Sequence, residues 1–357
     1  MYSESDLQDA IAAGALSADA AQALRDHVAR MRASPVVDEE HFRLLTGFND
    51  IFVAIASIIL LVAVGWLGNS LRLGAAEHHP SIASGLLVAA ASWGLAEYFT
   101  RRRRMALPSI LLLGGFVGGV AFALAALAGQ ILPDADDRTA GLIVSAVALA
   151  SAGAAWAHWR RFMVPITVAA GAAAGAAVVA GLVLSIAPGN ERLWVILLLI
   201  AGLAIFALAM RWDMSDRGRT TRRADVAFWL HLTAAPMIAH SLFHLLGVFE
   251  GNEMGIGKAV MVIALYVAFG LVALTIDRRA LLVSSLAYVL FALYALFHKA
   301  GAVELSAAFT ALVIGSALLL LSALWHRARA WIVGGLPDAL TDRLPYLDRP
   351  NAGQATA

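Results

Sequence analysis

In a chain this apolar, chemistry is to be sought among ionisable side chains inside the hydrophobic runs, because each costs free energy to keep away from water. The run from Trp229 to His244 concentrates them: His231, His240 and His244 flank Pro236. A proline there removes one backbone N–H and crowds the carbonyl of Leu232, so a kink is expected. His240 and His244 stand four residues apart and share one helix face, while His231 lies nearer the other end and roughly on the other side. Three chemistries fit this set. The imidazoles can tie neighbouring helices together by hydrogen bonds. They can handle a ligand or a proton, since imidazole titrates near neutral pH. Or His240 and His244 can form half of a metal site, completed by Glu250, Glu253, His78, His79 or His298. A single heme is excluded between His240 and His244, because both lie on one side of one helix.

Other polar residues carry plainer readings. Glu97 is four residues before Arg101, a spacing that pairs a carboxylate with Arg101 or Arg104 at the edge of the lipid. Asn49 and Asp50 open an apolar run and can cap it. His298 and Lys299 close another, where lysine can reach water. No nucleophile elbow, zinc-protease motif or dinucleotide fingerprint occurs. Gly257-Lys258 superficially resembles a phosphate loop, but Asn252 replaces its first glycine and Ala259 its Ser/Thr. With no cysteine, thiolate metal sites, disulfides and cysteine nucleophiles are excluded. No cofactor is specified.

The elements that must position these groups are long apolar helices. Hydrophobic residues make up 61% of the 357 residues and charged residues only 14%, where about 25% is usual. Each run approaches the ~20 residues that cross a bilayer as a helix. The spans read as 50–69, 81–99, 107–131, 140–158, 163–186, 193–212, 225–248, 257–276, 281–298 and 304–325. The fold class is therefore all-α, a polytopic transmembrane bundle of about ten helices, since continuous runs do not suit a barrel. Gly114, Gly115, Gly118, Gly119, Gly171 and Gly175 place the third and fifth spans inside the bundle, or along a subunit interface or narrow cavity.

Residues 1–47 read as a cytoplasmic segment and linker, 48–326 as the membrane domain and 327–357 as a cytoplasmic tail. No secretory signal is expected, because the first apolar run begins only near Ile51. Ser5 and Ser17 can cap two short helices, Asp6 to Ala13 and Ala18 to about Met31, with a thin apolar stripe that must dock on something. The segment suits a protein partner or a second copy of the chain. In the tail, Leu336, Leu340, Leu344 and Leu347 suit a short helix over 337–344, with Trp331 and Tyr346 at the headgroup layer.

Charge sets the expected orientation. Of 26 basic residues, only Arg72, Arg138, Arg192, Lys258 and Lys299 fall in the odd-numbered connections. The remainder sit in the even-numbered connections and the tails, so both termini are expected in the cytoplasm. The same arginines divide the membrane part into five helical hairpins. The basic loops resemble no nucleic-acid module.

The stretches Phe48-Asn49-Asp50-Ile51-Phe52-Val53, Glu97-Tyr98-Phe99-Thr100-Arg101, Met105-Ala106-Leu107-Pro108-Ser109, His231 to His244 and Asp277-Arg278-Arg279-Ala280-Leu281 carry a resemblance over most of the chain. It resembles a group of uncharacterised bacterial multi-pass membrane proteins with a short N-terminal helical segment. The resemblance implies a polytopic inner-membrane protein and supplies no functional residues. Two functions remain open: a small-molecule or ion transporter with Pro236, His240 and His244 at its site, or a non-catalytic scaffold or sensor working through the N-terminal helices. An enzyme has less to stand on.

Overall fold

The computed structural model describes residues 10–24, 48–71, 80–219, 221–248, 255–299 and 306–347. The chain divides into two units, residues 1–42 and 43–357. In the first, Ser17 accepts a hydrogen bond from the Ala20 N–H at 3.1 Å and opens a helical turn. Gly14, at φ +68°, ends the preceding one. The outer parts of both expected N-terminal helices lie outside the described residues.

The second unit is a succession of helices. They are α1 (Phe48–Ser70), α2 (Ile82–Ala96, continued as a π-turn over Glu97–Arg102), α3 (Ala106–Ile131), α4 (Asp137–Phe162), α5 (Ile166–Ile186) and α6 (Glu191–Met214). There follow α7 (Arg222–Leu245), α8 (Ile256–Ile276), α9 (Ala280–Lys299), α10 (Ser306–Ala323), α11 (Trp325–Gly334) and α12 (Asp338–Thr341). Side-chain caps mark several starts: Asp136 accepts from Thr139 N, Asn190 from Leu193 N and Thr221 from Arg223 N. Among the described residues, nine helices are long and apolar enough to cross a membrane, and a bent pair of helices (307–323 and α11) would supply a tenth span. Trp66, Leu149, Val283 and Leu319 are 64–77% exposed on these helices. Each such side chain costs roughly 1.5–3 kcal/mol when left in water rather than buried, so this surface suits lipid.

The centre of the bundle corrects one expectation. Glycine content pointed to α3 and α5, yet 56% of the apolar window of α7 is buried, against 28% for α3 and 17% for α5. The reason is a set of buried alanines, Ala224, Ala227, Ala234, Ala235 and Ala239, which let α5, α6 and α9 close around α7. The glycines serve local contacts instead, and Gly114, Gly115, Gly118 and Gly119 line a cavity of about 320 Å³ between α2 and α3, in line with the narrow-cavity alternative. A Cβ on Gly119 would come within 2.7 Å of the Gly85 carbonyl on α2, and one on Gly181 within 2.7 Å of the Gly141 carbonyl on α4. Gly114, Gly118 and Gly175 meet nothing within 4 Å.

The C-terminal region also differs from its sequence reading. The chain bends by 73° at the junction of α10 and α11, and the helical turn α12 covers only Asp338–Thr341. Leu344 is buried with Ile276 and Val333, whereas Leu340 and Leu347 are exposed.

Close helix contact makes a prediction. Gly119→Val forces α2 and α3 apart and destabilises by about 1–3 kcal/mol, whereas Gly114→Val is neutral. Thermal unfolding in detergent checks the pair, and equal stability of the two variants contradicts the packing.

A candidate functional site at the arginine-rich end

Among the described residues, four non-glycine residues adopt the left-handed backbone conformation: Arg104, Met163, Arg219 and Asp277. Each lies in a turn between successive hairpins. Direct contacts bring these turns to one end of the bundle. Glu97 at the end of α2 meets Arg161 at the end of α4, Arg222 donates to the Met163 carbonyl, and Arg278 donates to the Ala224 carbonyl.

At the heart of this end is Asp213, on the last turn of α6. Arg278 grips its carboxylate in a fork, Nη2 to Oδ1 at 2.6 Å and Nε to Oδ2 at 3.3 Å. His231 Nε2, on α7, lies 2.9 Å from Oδ2. The three side chains are only 1–4% exposed. The imidazole Nδ1 has no hydrogen-bond partner among the described residues, and its ring packs edge-to-face with Phe206 at 5.1 Å between centroids. These contacts define the tautomer. With the proton on Nε2 the ring donates to Asp213 and leaves only a lone pair unmatched. A second proton, on Nδ1, would be a buried donor without an acceptor beside the Arg278 guanidinium.

Asp277, the neighbour of Arg278, anchors a second cluster. Arg219 Nη1 donates to Asp277 Oδ2 at 2.7 Å, and its Nη2 reaches the carbonyls of Ile276 and Asp277. Trp325 Nε1 donates to Oδ1 at 2.7 Å. Arg329 Nε stands 3.9 Å from Oδ1, and its Nη atoms donate to the carbonyls of Pro345 and Tyr346. Arg217 holds the Leu344 and Thr341 carbonyls and lies over the Tyr346 ring at 4.4 Å. Positive charge in excess of the two carboxylates is thus met by main-chain oxygens, which straps the C-terminal segment to the core. Burial would push the Asp277 carboxyl up, but Arg219, Arg329, the Trp325 N–H and Arg278 outweigh it and hold the group below the ordinary carboxylate range.

The structure distributes the residues singled out in the sequence. His231 enters the ionic centre. His240 does not: it is exposed on α7, with Nδ1 3.0 Å from the Tyr288 hydroxyl. The His244 ring is 6.1 Å from that of His240. No group of three or more metal ligands occurs among the described residues. The third-ligand candidates His78, His79, Glu250 and Glu253 and the side chain of His298 lie outside them. Pro236 sits within α7, which runs as one helix through it. Glu97 pairs with Arg101 at 3.3 Å as its spacing suggested, and more closely with Arg161, at 2.6 and 2.9 Å. Lys258 donates to the Gly247 carbonyl.

Asp213, Arg278, Asp277, Arg219, Trp325 and Arg329 were not foreseen. Their signal was present: carboxylates at the ends of apolar runs, set among arginines otherwise read only as orientation markers. His158 was missed too. It is buried among Trp93, Phe116 and Phe162, with Nδ1 3.3 Å from Thr167 Oγ1. No protein-family model, curated protein or solved structure matches the chain.

Asp277 gives a signed pH test. A carboxylate with a depressed folded-state pKa contributes stability above its unfolded value, ~3.9, and loses it as pH falls through the lower folded value. Asp277→Asn therefore destabilises by about 3–5 kcal/mol at neutral pH. The deficit stays constant down to pH ~4 and shrinks only below it. Thermal unfolding across that range checks this, and a deficit that vanishes between pH ~5 and ~7 contradicts it.

Proposed function

We propose that this chain is a small-molecule or ion transporter, and that the ionic network is its closed gate at the arginine-rich end. One observation carries the reading: Asp213, His231 and Arg278, from α6, α7 and the turn before α9, meet in a nearly dry cluster. Buried ion pairs are a poor way to add stability, because apolar replacements are often as good. Their recognised use is to specify one arrangement among alternatives, and ionisable groups at membrane depth commonly mark transport pathways. His231 supplies the coupling. Its second proton lacks an acceptor and adds positive charge beside Arg278, so protonation works against the closed arrangement and accompanies opening. His240, His244 and Pro236, further along α7, line the route on the far side of this gate, and Glu97 with Arg161 braces its rim.

The arginine-rich end faces the cytoplasm by the distribution of basic residues, with both termini on that side, in a bacterial inner membrane as the resemblance implies. The absence of native cysteine makes this simple to test. Asp134→Cys reacts with an impermeant maleimide in intact cells, and Arg102→Cys reacts only after permeabilisation. The reverse pattern contradicts the orientation.

Transport is tested by charge movement in proteoliposomes on a solid-supported membrane, challenged with panels of amino acids, sugars and inorganic ions across a pH series. A solute-evoked or proton-evoked current is expected in wild type. It is lost in Asp213→Asn, and its pH dependence is lost in His231→Gln, while both variants stay monodisperse. A second reading, a scaffold or sensor, draws on the division of residues 1–42 into a unit of their own. It is favoured if wild type carries no current and removal of residues 1–34 abolishes the cellular phenotype.

A further inference from the structure

On the outer side of the same end, a cavity of about 420 Å³ opens between α6 and α7, lined by Leu208, Arg211, Trp212, Ser215 and Arg223. Its chemistry differs from that of the gate. Among the described residues it holds two guanidinium groups and no carboxylate, and neither Arg211 nor Arg223 has a side-chain partner there. Both residues are exposed. Ser215 already donates its hydroxyl hydrogen to the Trp212 carbonyl at 2.7 Å and offers the cavity only lone pairs. The arginines are thus the groups that select a ligand, and they select an anion.

What leads to the cavity identifies the anion's carrier. Ile196, Ile200, Leu203, Ala207, Arg211 and Met214 follow the three- and four-residue spacing of one helix face, and all are exposed. The outward ridge of α6 is therefore apolar for most of its length and ends in a guanidinium beside the cavity. Trp212 stands at the same level, where indole suits the headgroup layer. An apolar track ending in paired positive charge matches an acyl chain joined to a phosphate. On the opposite face of the same helix turn Asp213 is locked by Arg278, and Asp216 accepts hydrogen bonds from the Thr221 N–H and hydroxyl. The wall that carries Arg211 and the first turn that carries Arg223 are in this way held in fixed positions before a ligand arrives.

We infer that this cavity is a binding site for the phosphate of an anionic phospholipid, gripped by Arg211 and Arg223 with an acyl chain laid along α6. This goes beyond the transport reading and does not depend on it. Basic pockets between membrane helices hold lipid headgroups by this combination of charge and apolar contact.

Native mass spectrometry of the delipidated full chain in detergent tests the site. The added probes are phosphatidylglycerol, phosphatidylcholine of the same acyl composition, and inorganic phosphate. One phosphatidylglycerol is expected to bind saturably, with phosphatidylcholine at least about tenfold weaker and inorganic phosphate unable to compete at millimolar concentration. The Arg211→Gln/Arg223→Gln variant loses about tenfold or more in affinity. An Arg327→Gln/Arg343→Gln variant, with the same charge removed elsewhere at this end, retains it. Leu208→Trp fills the cavity without changing charge and must also lose the lipid, which keeps the test decisive if the double variant fails to fold. Equal binding of both lipids, equal loss in the control variant, full retention in Leu208→Trp, or competition by inorganic phosphate would each overturn the inference.

Discussion

A charge taken out of water must find a partner, and at the arginine-rich end of this bundle that requirement organises everything around it. Asp213 alone on the last turn of α6 would be untenable in an apolar setting. With the Arg278 fork and the His231 N–H it becomes the point where α6, α7 and the turn into α9 are held in one arrangement. Because Asp277 and Arg278 are consecutive, the opposite charge in each pair comes from a different part of the chain. Arg278 is bound to α6, while Asp277 is bound to Arg219, Trp325 and Arg329. A shift of α6 disturbs both clusters, because Asp213 lies on its last turn and Arg219 in the turn that follows.

This arrangement also explains the unusual backbone of the turns. A left-handed conformation costs a residue with a Cβ roughly 1–2 kcal/mol. At Arg219 and Asp277 that cost is offset because both residues belong to the same ion pair, which fixes the two turns against each other. The C-terminal segment follows from the same charge balance. Guanidinium groups outnumber carboxylates here, and carbonyls of Thr341, Leu344, Pro345 and Tyr346 take up the surplus donors. Apolar burial of Leu344 against Ile276 and Val333 completes the strap.

Most of the helical architecture was legible in the sequence, because hydropathy and run length act locally and the lipid requirement is strict. Most span boundaries fell within a few residues of the helices observed. Those few residues decided what the candidate site looked like. The sixth run was ended at 212 and the eighth at 276, one residue short of Asp213 and of Asp277, so both carboxylates passed as loop residues. Away from the two residues at either end, the charged or imidazole side chains of the runs as bounded are then Glu97, His231, His240 and His244. Pairing between Asp213 and Arg278 spans 65 positions, and no local pattern announces it. His231 and His240 show the same limit. Periodicity separated their faces, but which face turned inward depended on the alanines that let α5, α6 and α9 close on α7. Glycine counts misplaced the centre for a related reason, since close approach at Gly119 and Gly181 serves single helix pairs and not the bundle axis.

If Asp213, His231 and Arg278 hold this end closed, breaking them opens it. Spin labels at Arg160→Cys and Arg327→Cys, in a chain without other cysteines, report the distance between the end of α4 and α11 by pulsed electron spin resonance in nanodiscs. One narrow distance is expected in otherwise unaltered protein, and a second, longer population when Asp213→Asn is added. A single unchanged distance in both, with the Asp213→Asn protein still folded, would contradict this and leave the network as structural bracing alone.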